Sequence, residues 1–160
     1  MEETEKGNFL EILISNIIRI LKFGTVGIFT FGIEETVIFI GFTLYGYEHY
    51  VFPINAVSIV SSVTVSFLFN ENWTVRHEGF HGGQILGLLW RWLKFQGVYI
   101  AGSLVGLYVQ LTVYYHYGIH PVIANMLGAL AGYPLNYFST MIFVWKIKFW
   151  KPPKYTDGKP

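Results

Sequence analysis

The chain has 160 residues, of which 52% are hydrophobic, 19% aromatic and 13% charged, with a formal net charge of +1. Soluble domains carry roughly 25% charged residues, so a water-exposed fold would lack the side chains to cover its surface, whereas lipid solvates a chain of mean hydropathy +0.42 directly. The length fits one small domain, the lack of cysteine excludes disulfides and thiolate chemistry, and the near-neutral balance gives no reason to expect nucleic acid as a partner.

The N-terminus is acidic (Glu2, Glu3, Glu5) and the first long apolar run starts late, which argues against a cleaved signal peptide. Residues 8–22 place Phe9, Ile12, Leu13, Asn16, Ile17 and Ile20 at helical spacing beside Glu11, Ser15, Arg19 and Lys22. Such a segment either lies in the headgroup plane or extends the first span inwards. Crossing a core ~30 Å thick takes about 20 mostly apolar residues. Four stretches qualify: 23–45, 52–69, 95–115 and 121–145. Pro53 and Pro121 sit near the start of the second and fourth, where a missing N–H costs little. Residues 84–94, with Ile85, Leu88, Leu89 and Trp92 against Arg91 and Lys94, form a second candidate interfacial segment. The tail 146–160 contains Lys151-Pro152-Pro153-Lys154, which cannot stay helical. The runs are continuous rather than alternating, so helices are expected and not a barrel. The connections 46–51 and 116–120 are short, which pairs the spans into two hairpins.

Basic residues set the orientation. Lys6, Arg19 and Lys22 precede the first span, and Arg76, Arg91 and Lys94 lie between the second and third. Lys146, Lys148, Lys151, Lys154 and Lys159 follow the fourth, while neither hairpin loop contains Lys or Arg. With four spans every cation falls on one face, which the positive-inside rule assigns to the cytoplasm, together with both termini. Trp90, Trp92, Trp145 and Trp150 suit an aromatic belt on that side.

Three matches recur at an offset of about 70 residues. Arg19-Ile20-Leu21-Lys22-Phe23 returns as Arg91-Trp92-Leu93-Lys94-Phe95, Trp73-Thr74-Val75-Arg76 as Phe143-Val144-Trp145-Lys146, and Asn55 as Asn125. Each copy holds an even number of spans, so the repeat is parallel rather than inverted. The expected fold is therefore an all-α membrane protein: four transmembrane helices built as two tandem hairpins, with interfacial amphipathic segments and both ends inside.

In these residues the chain resembles the GtrA family of small four-helix membrane proteins. The resemblance rests on the basic, Phe-containing run Arg19–Gly27 entering the first span and on Phe69-Asn70-Glu71-Asn72-Trp73-Thr74-Val75-Arg76 leaving the second. It continues with the second basic-Phe run at Arg91–Phe95 and with Asn136-Tyr137-Phe138 leading to Phe143-Val144-Trp145. It covers residues 19–148. One departure is Glu71, where the family often has a basic residue. The resemblance implies a plasma-membrane role in cell-surface polysaccharide or glycoconjugate synthesis. The expected activity is movement of a polyprenyl-phosphate-linked sugar to the outer leaflet, beside a partner glycosyltransferase. The alternative it implies is a non-transporting anchor or regulator of that enzyme.

The most unusual residues are Glu34 and Glu35, about 17 Å into the first span at ~1.5 Å per residue. A carboxylate at that depth costs roughly 2.5–3.5 kcal/mol on insertion scales. No Lys or Arg lies level with them; Ser61, Ser62, Gln110 and Tyr133 do. Glu34, Glu35 and Gln110 are thus candidates for a polar path for a sugar headgroup or proton. A hydrogen bond within the bundle or across a homodimer is the structural alternative. Adjacent helical residues point ~100° apart, so the two acids need not share a task. Arg19, Lys22, Arg76, Arg91, Lys94 and Lys146 are candidates for a lipid phosphate, or simply set topology. Asn70, Asn72 and Asn136 are candidates for sugar or phosphate contacts, or caps and interhelical bonds. Gly102-x-x-x-Gly106 and Gly128-x-x-x-Gly132 permit close helix contact. The five His lack metal-ligand spacing, no cofactor is implied, and no nucleophile–base arrangement appears, so an enzyme is not expected. A small multidrug-resistance type exporter shares four helices and a Glu in the first, but the one-sided cations argue against it.

Overall fold

The computed structural model describes residues 2–46, 50–76 and 85–151. Gln84 and the tail from Pro152 onwards, with Lys154 and Lys159, lie outside the described residues. All regular structure among the described residues is helical, and it falls into two compact units. One comprises Met1–Gly83 with Lys148–Pro160, the other Gln84–Ile147.

In the first unit, α1 (Glu2–Tyr45) is a single helix of 44 residues, about 66 Å long at ~1.5 Å per residue. Residues 8–22 continue into the first span without a break. The helix stops at Gly46, whose φ of 75° suits a residue without Cβ and whose N–H donates to the Phe42 carbonyl at 3.0 Å. α2 (Val51–Phe69) returns antiparallel, matching the predicted 52–69, and passes into a π-helical turn, Asn70–Thr74. Side chains register the hairpin along its length. A Cβ on Gly41 would collide with Ile54, the Phe29 and Phe69 rings meet edge to face at 5.3 Å, and Lys22 Nζ reaches the Trp73 carbonyl at 3.4 Å. Asn16 Nδ2 donates to the Phe149 carbonyl at 2.9 Å, tying the segment beyond the second hairpin to α1.

In the second unit, α3 (Ile85–Tyr117) is again one helix, through residues expected to be interfacial. It ends at Gly118, with φ 61° and its N–H on the Tyr114 carbonyl at 3.1 Å. α4 (Pro121–Ser139) opens with proline at its first position, carries Pro134 inside, and passes into the π-turn Thr140–Val144. Glycines bring the two backbones together. A Cβ on Gly106 would sit 2.9 Å from the Gly128 carbonyl oxygen, and one on Gly132 2.7 Å from that of Gly102. Phe95 and Trp145, both fully buried, pack with ring centroids 5.6 Å apart.

Among the described residues, three stretches are long and apolar enough to cross a membrane: Phe9–Tyr45, Phe52–Thr74 and Ile85–Tyr117. The expected fourth, α4, is not among them. Asn125, Tyr133, Pro134 and Asn136 dilute its apolar residues.

Candidate functional site: the polar seam of the first hairpin

One face of α2 and its π-turn repeats a small polar residue every fourth position: Ser58, Ser62, Ser66, Asn70 and Thr74. Residues four apart share a helical face, and all five are buried. On α1, Thr30 is buried and Glu34 half-buried. Ser62 Oγ lies 3.0 Å from Glu34 Oε2 and 3.1 Å from the Ile59 carbonyl oxygen. A hydroxyl has one proton, so the pair satisfies either state of the acid. With Glu34 ionised, Ser62 donates to it. With Glu34 protonated, the acid donates to Ser62 and Ser62 donates to Ile59. Ser62, expected level with Glu34, meets it. Glu35, one position on, is exposed, as the angle between adjacent helical residues requires.

The other polar side chains of the seam bond mostly to their own helix. Thr30 Oγ1 donates to the Val26 carbonyl at 3.0 Å. Asn70 Nδ2 donates to the Ser66 carbonyl at 2.8 Å, and Asn70 Oδ1 accepts from Thr74 Oγ1 at 2.6 Å. The Asn70 carbonyl takes the Val75 N–H at 3.0 Å, closing the π-turn. Asn70, predicted as a headgroup contact, is therefore fully enclosed and held within its own turn. Asn72 is exposed, with Nδ2 on the Leu68 carbonyl at 2.8 Å. Asn136 packs onto the Gly102 backbone so closely that a Cβ on Gly102 would fall on its carboxamide, and its buried Oδ1 accepts no hydrogen bond. Gln110, half-buried, has its Cβ against Gly128.

The cations take different settings. Arg19 is buried at 5% exposure, with Nη1 on Asn16 Oδ1 at 2.7 Å. Lys22 Nζ lies 5.6 Å from the Trp73 ring centroid. Lys94 lies over Trp90 of its own helix at 5.4 Å. Arg91 is half-buried, while Arg76 and Lys146 are exposed. Glu71, where the family often has a base, is buried.

Ser58, Ser66 and Thr74 were not among the candidates, although their four-residue spacing with Ser62 and Asn70 is visible in the sequence. In the second hairpin the corresponding seam is made of Gly102, Gly106, Gly128 and Gly132.

No curated protein matches the chain. A model of the GtrA/DPMS transmembrane domain matches residues 22–145, which takes in both hairpins and both π-turns. With helices long and apolar enough for a bilayer, the chain is a multi-pass membrane protein and belongs to the GtrA/DPMS transmembrane-domain family.

Proposed function

We propose that this protein moves a polyprenyl-phosphate-linked sugar across the plasma membrane, from the cytoplasmic to the outer leaflet, for cell-surface polysaccharide or glycoconjugate synthesis. Family membership ties the chain to polyprenyl-phosphate sugar processes. The observation that carries the step from there to translocation is Glu34, a carboxyl group within the first expected span, which meets Ser62 in a buried row of hydroxyl and amide side chains. Acids inside the membrane are costly and mark substrate or proton paths. Sugar hydroxyls exchange hydrogen bonds readily with Ser, Thr and carboxyl groups, so a headgroup passing along this seam would replace the bonds it breaks.

The reading includes four spans, with α4 as the fourth, both termini in the cytoplasm, and two tandem copies of one hairpin unit. Two features support the repeat beyond sequence: the glycine stops at Gly46 and Gly118, and π-turns at Asn70–Thr74 and Thr140–Val144. A polar α4 is tolerated where a neighbouring helix covers it, and Gly128 and Gly132 lie against α3. The chain itself is not an enzyme in this scheme; a glycosyltransferase supplies the lipid-linked sugar.

The test is translocation of a polyprenyl-phosphate sugar in proteoliposomes. Glu34→Leu is expected to slow it about tenfold or more, as loss of a charged-group hydrogen bond does. Unchanged rates for Glu34→Leu and for the Glu34→Leu/Glu35→Leu double variant would remove the seam from the mechanism. A second reading, a non-transporting partner of a glycosyltransferase, draws on the tie between Asn16 and Phe149. It makes the cytoplasmic end the working part and predicts altered enzyme activity on mixing, without translocation.

A further inference from the structure

Between α1 and the end of α2 the first hairpin leaves an open groove of about 620 Å³, within the usual range for small-ligand sites. Val26 and Phe29 form one wall, and Leu68, Phe69 and Trp73 the other. Phe29 and Phe69 meet at the end farther from Lys22. At the near end, Lys22 Nζ stands 5.6 Å from the Trp73 ring centroid and 3.4 Å from its carbonyl oxygen. Asn72 lines the same groove. An ammonium has three donors, and the carbonyl engages one of them.

The groove is largely apolar, with Thr25 and Asn72 as its polar lining, and Lys22 stands beside Trp73 at one end. Lys22 and Phe29 are seven residues apart, about 10 Å along the helix, and the apolar wall begins within one turn of the ammonium. A glycerophospholipid has a glycerol unit between its phosphate and two chains. A lipid monophosphate joins its phosphate straight to one chain, so charge and hydrocarbon follow each other over that short distance. Val26, Leu68 and the aromatic rings offer dispersion contacts to a branched, unsaturated chain. Leu68, Phe69 and Trp73 are part-exposed, so a chain enters sideways from the bilayer.

We propose that this groove seats the head end of an isoprenoid phosphate, with the phosphate on Lys22 and Asn72 and the first isoprene units against Phe29, Leu68 and Phe69. The choice of an isoprenoid rests on the lipid-linked sugar reading above; the single-chain phosphate chemistry rests on the groove. The second hairpin supplies an internal comparison. Its Lys94 lies over Trp90 on its own helix, and Gly97, Ala101 and Ile142 stand where the first has Thr25, Phe29 and Asn72. The second copy therefore lacks three of the side chains that shape this surface in the first.

The experiment uses the full chain in phosphatidylcholine nanodiscs, titrated with farnesyl phosphate and, separately, cross-linked to a diazirine analogue of it. Cross-links are expected on Leu68–Trp73. Lys22→Gln is expected to weaken binding about tenfold or more, as removal of a charge-assisted contact does, with partial recovery in Lys22→Arg. Leu68→Trp, at an exposed position that tolerates bulk, fills the groove and is expected to weaken farnesol and farnesyl phosphate alike. Lys151→Gln and Leu104→Trp, at positions outside the groove lining, are expected to change binding by less than about twofold. Equal competition by phosphatidylglycerol, or unchanged binding in both Lys22→Gln and Leu68→Trp, overturns the groove. Groove binding without sugar translocation upholds the groove and overturns the transport reading. Translocation that persists with the groove variants still binding normally does the reverse.

Discussion

The two hairpins close their helices together in opposite ways. In α3 and α4, Gly102, Gly106, Gly128 and Gly132 remove side chains from the contact, and each backbone packs on the other. Such a joint holds by close dispersion contact between backbones, with the Asn136 carboxamide packed onto it at Gly102. In α1 and α2, Glu34, Ser62, Ser66 and Asn70 fill the equivalent face with groups that can exchange partners. The first joint is suited to stay shut and the second to be entered. On the proposed reading one architecture provides a scaffold and a polar passage, and the difference lies in a handful of residues on the inner faces.

The comparison breaks most visibly at the glycines. Gly128→Val would drive a branched side chain into the Gly106 carbonyl and Gln110. The expected loss is about 3 kcal/mol or more, at the upper end for overpacking, read as failed folding or a collapsed midpoint of unfolding in detergent. Gly102→Ala is milder, about 1–3 kcal/mol. Because its Cβ falls on Asn136, pairing it with Asn136→Ala should restore part of the loss in a double-mutant cycle. Additive losses would mean the two residues do not share that space.

In the first hairpin the comparable disruption acts on function. Glu34→Leu removes a costly acid, so thermal stability is expected to hold or rise by up to about 1 kcal/mol while translocation falls. Parallel loss of both would mean that Glu34 is a structural strut like the glycines. Asn70→Ala leaves Thr74 Oγ1 without its 2.6 Å acceptor while the backbone bond that closes the π-turn remains, with an expected cost of about 1–3 kcal/mol in the unfolding midpoint. Lys146 is a non-glycine residue with φ of 54°. Replacing it with glycine should relieve strain worth up to about 1 kcal/mol, a small upward shift of the same midpoint. Finally, the chain lacks cysteine, so single Lys22→Cys and Lys94→Cys variants can be labelled in intact cells. Both should react only after permeabilisation. Labelling from opposite sides would leave the two hairpins no longer parallel.

Much of the first level of structure was legible because lipid makes helices obligatory. Residues 52–69, read as a continuous apolar run, are helical throughout in α2, since such a run in a bilayer must satisfy its own backbone. The opposed settings of Glu34 and Glu35 follow from helical geometry alone. The four-residue row Ser58, Ser62, Ser66, Asn70, Thr74 was equally open to reading. The π-turns were not, because an extra residue in one turn leaves no compositional trace.

By itself the amino-acid sequence determined the all-helical membrane character and the family, because hydrophobic length and local motifs specify these. Tertiary structure alone decided that Ser62 meets Glu34, that Asn70 is sealed in its own turn, and that a groove opens beside Lys22. Each of those depends on the register between two helices, which is set by side-chain packing across the hairpin and not by any one segment.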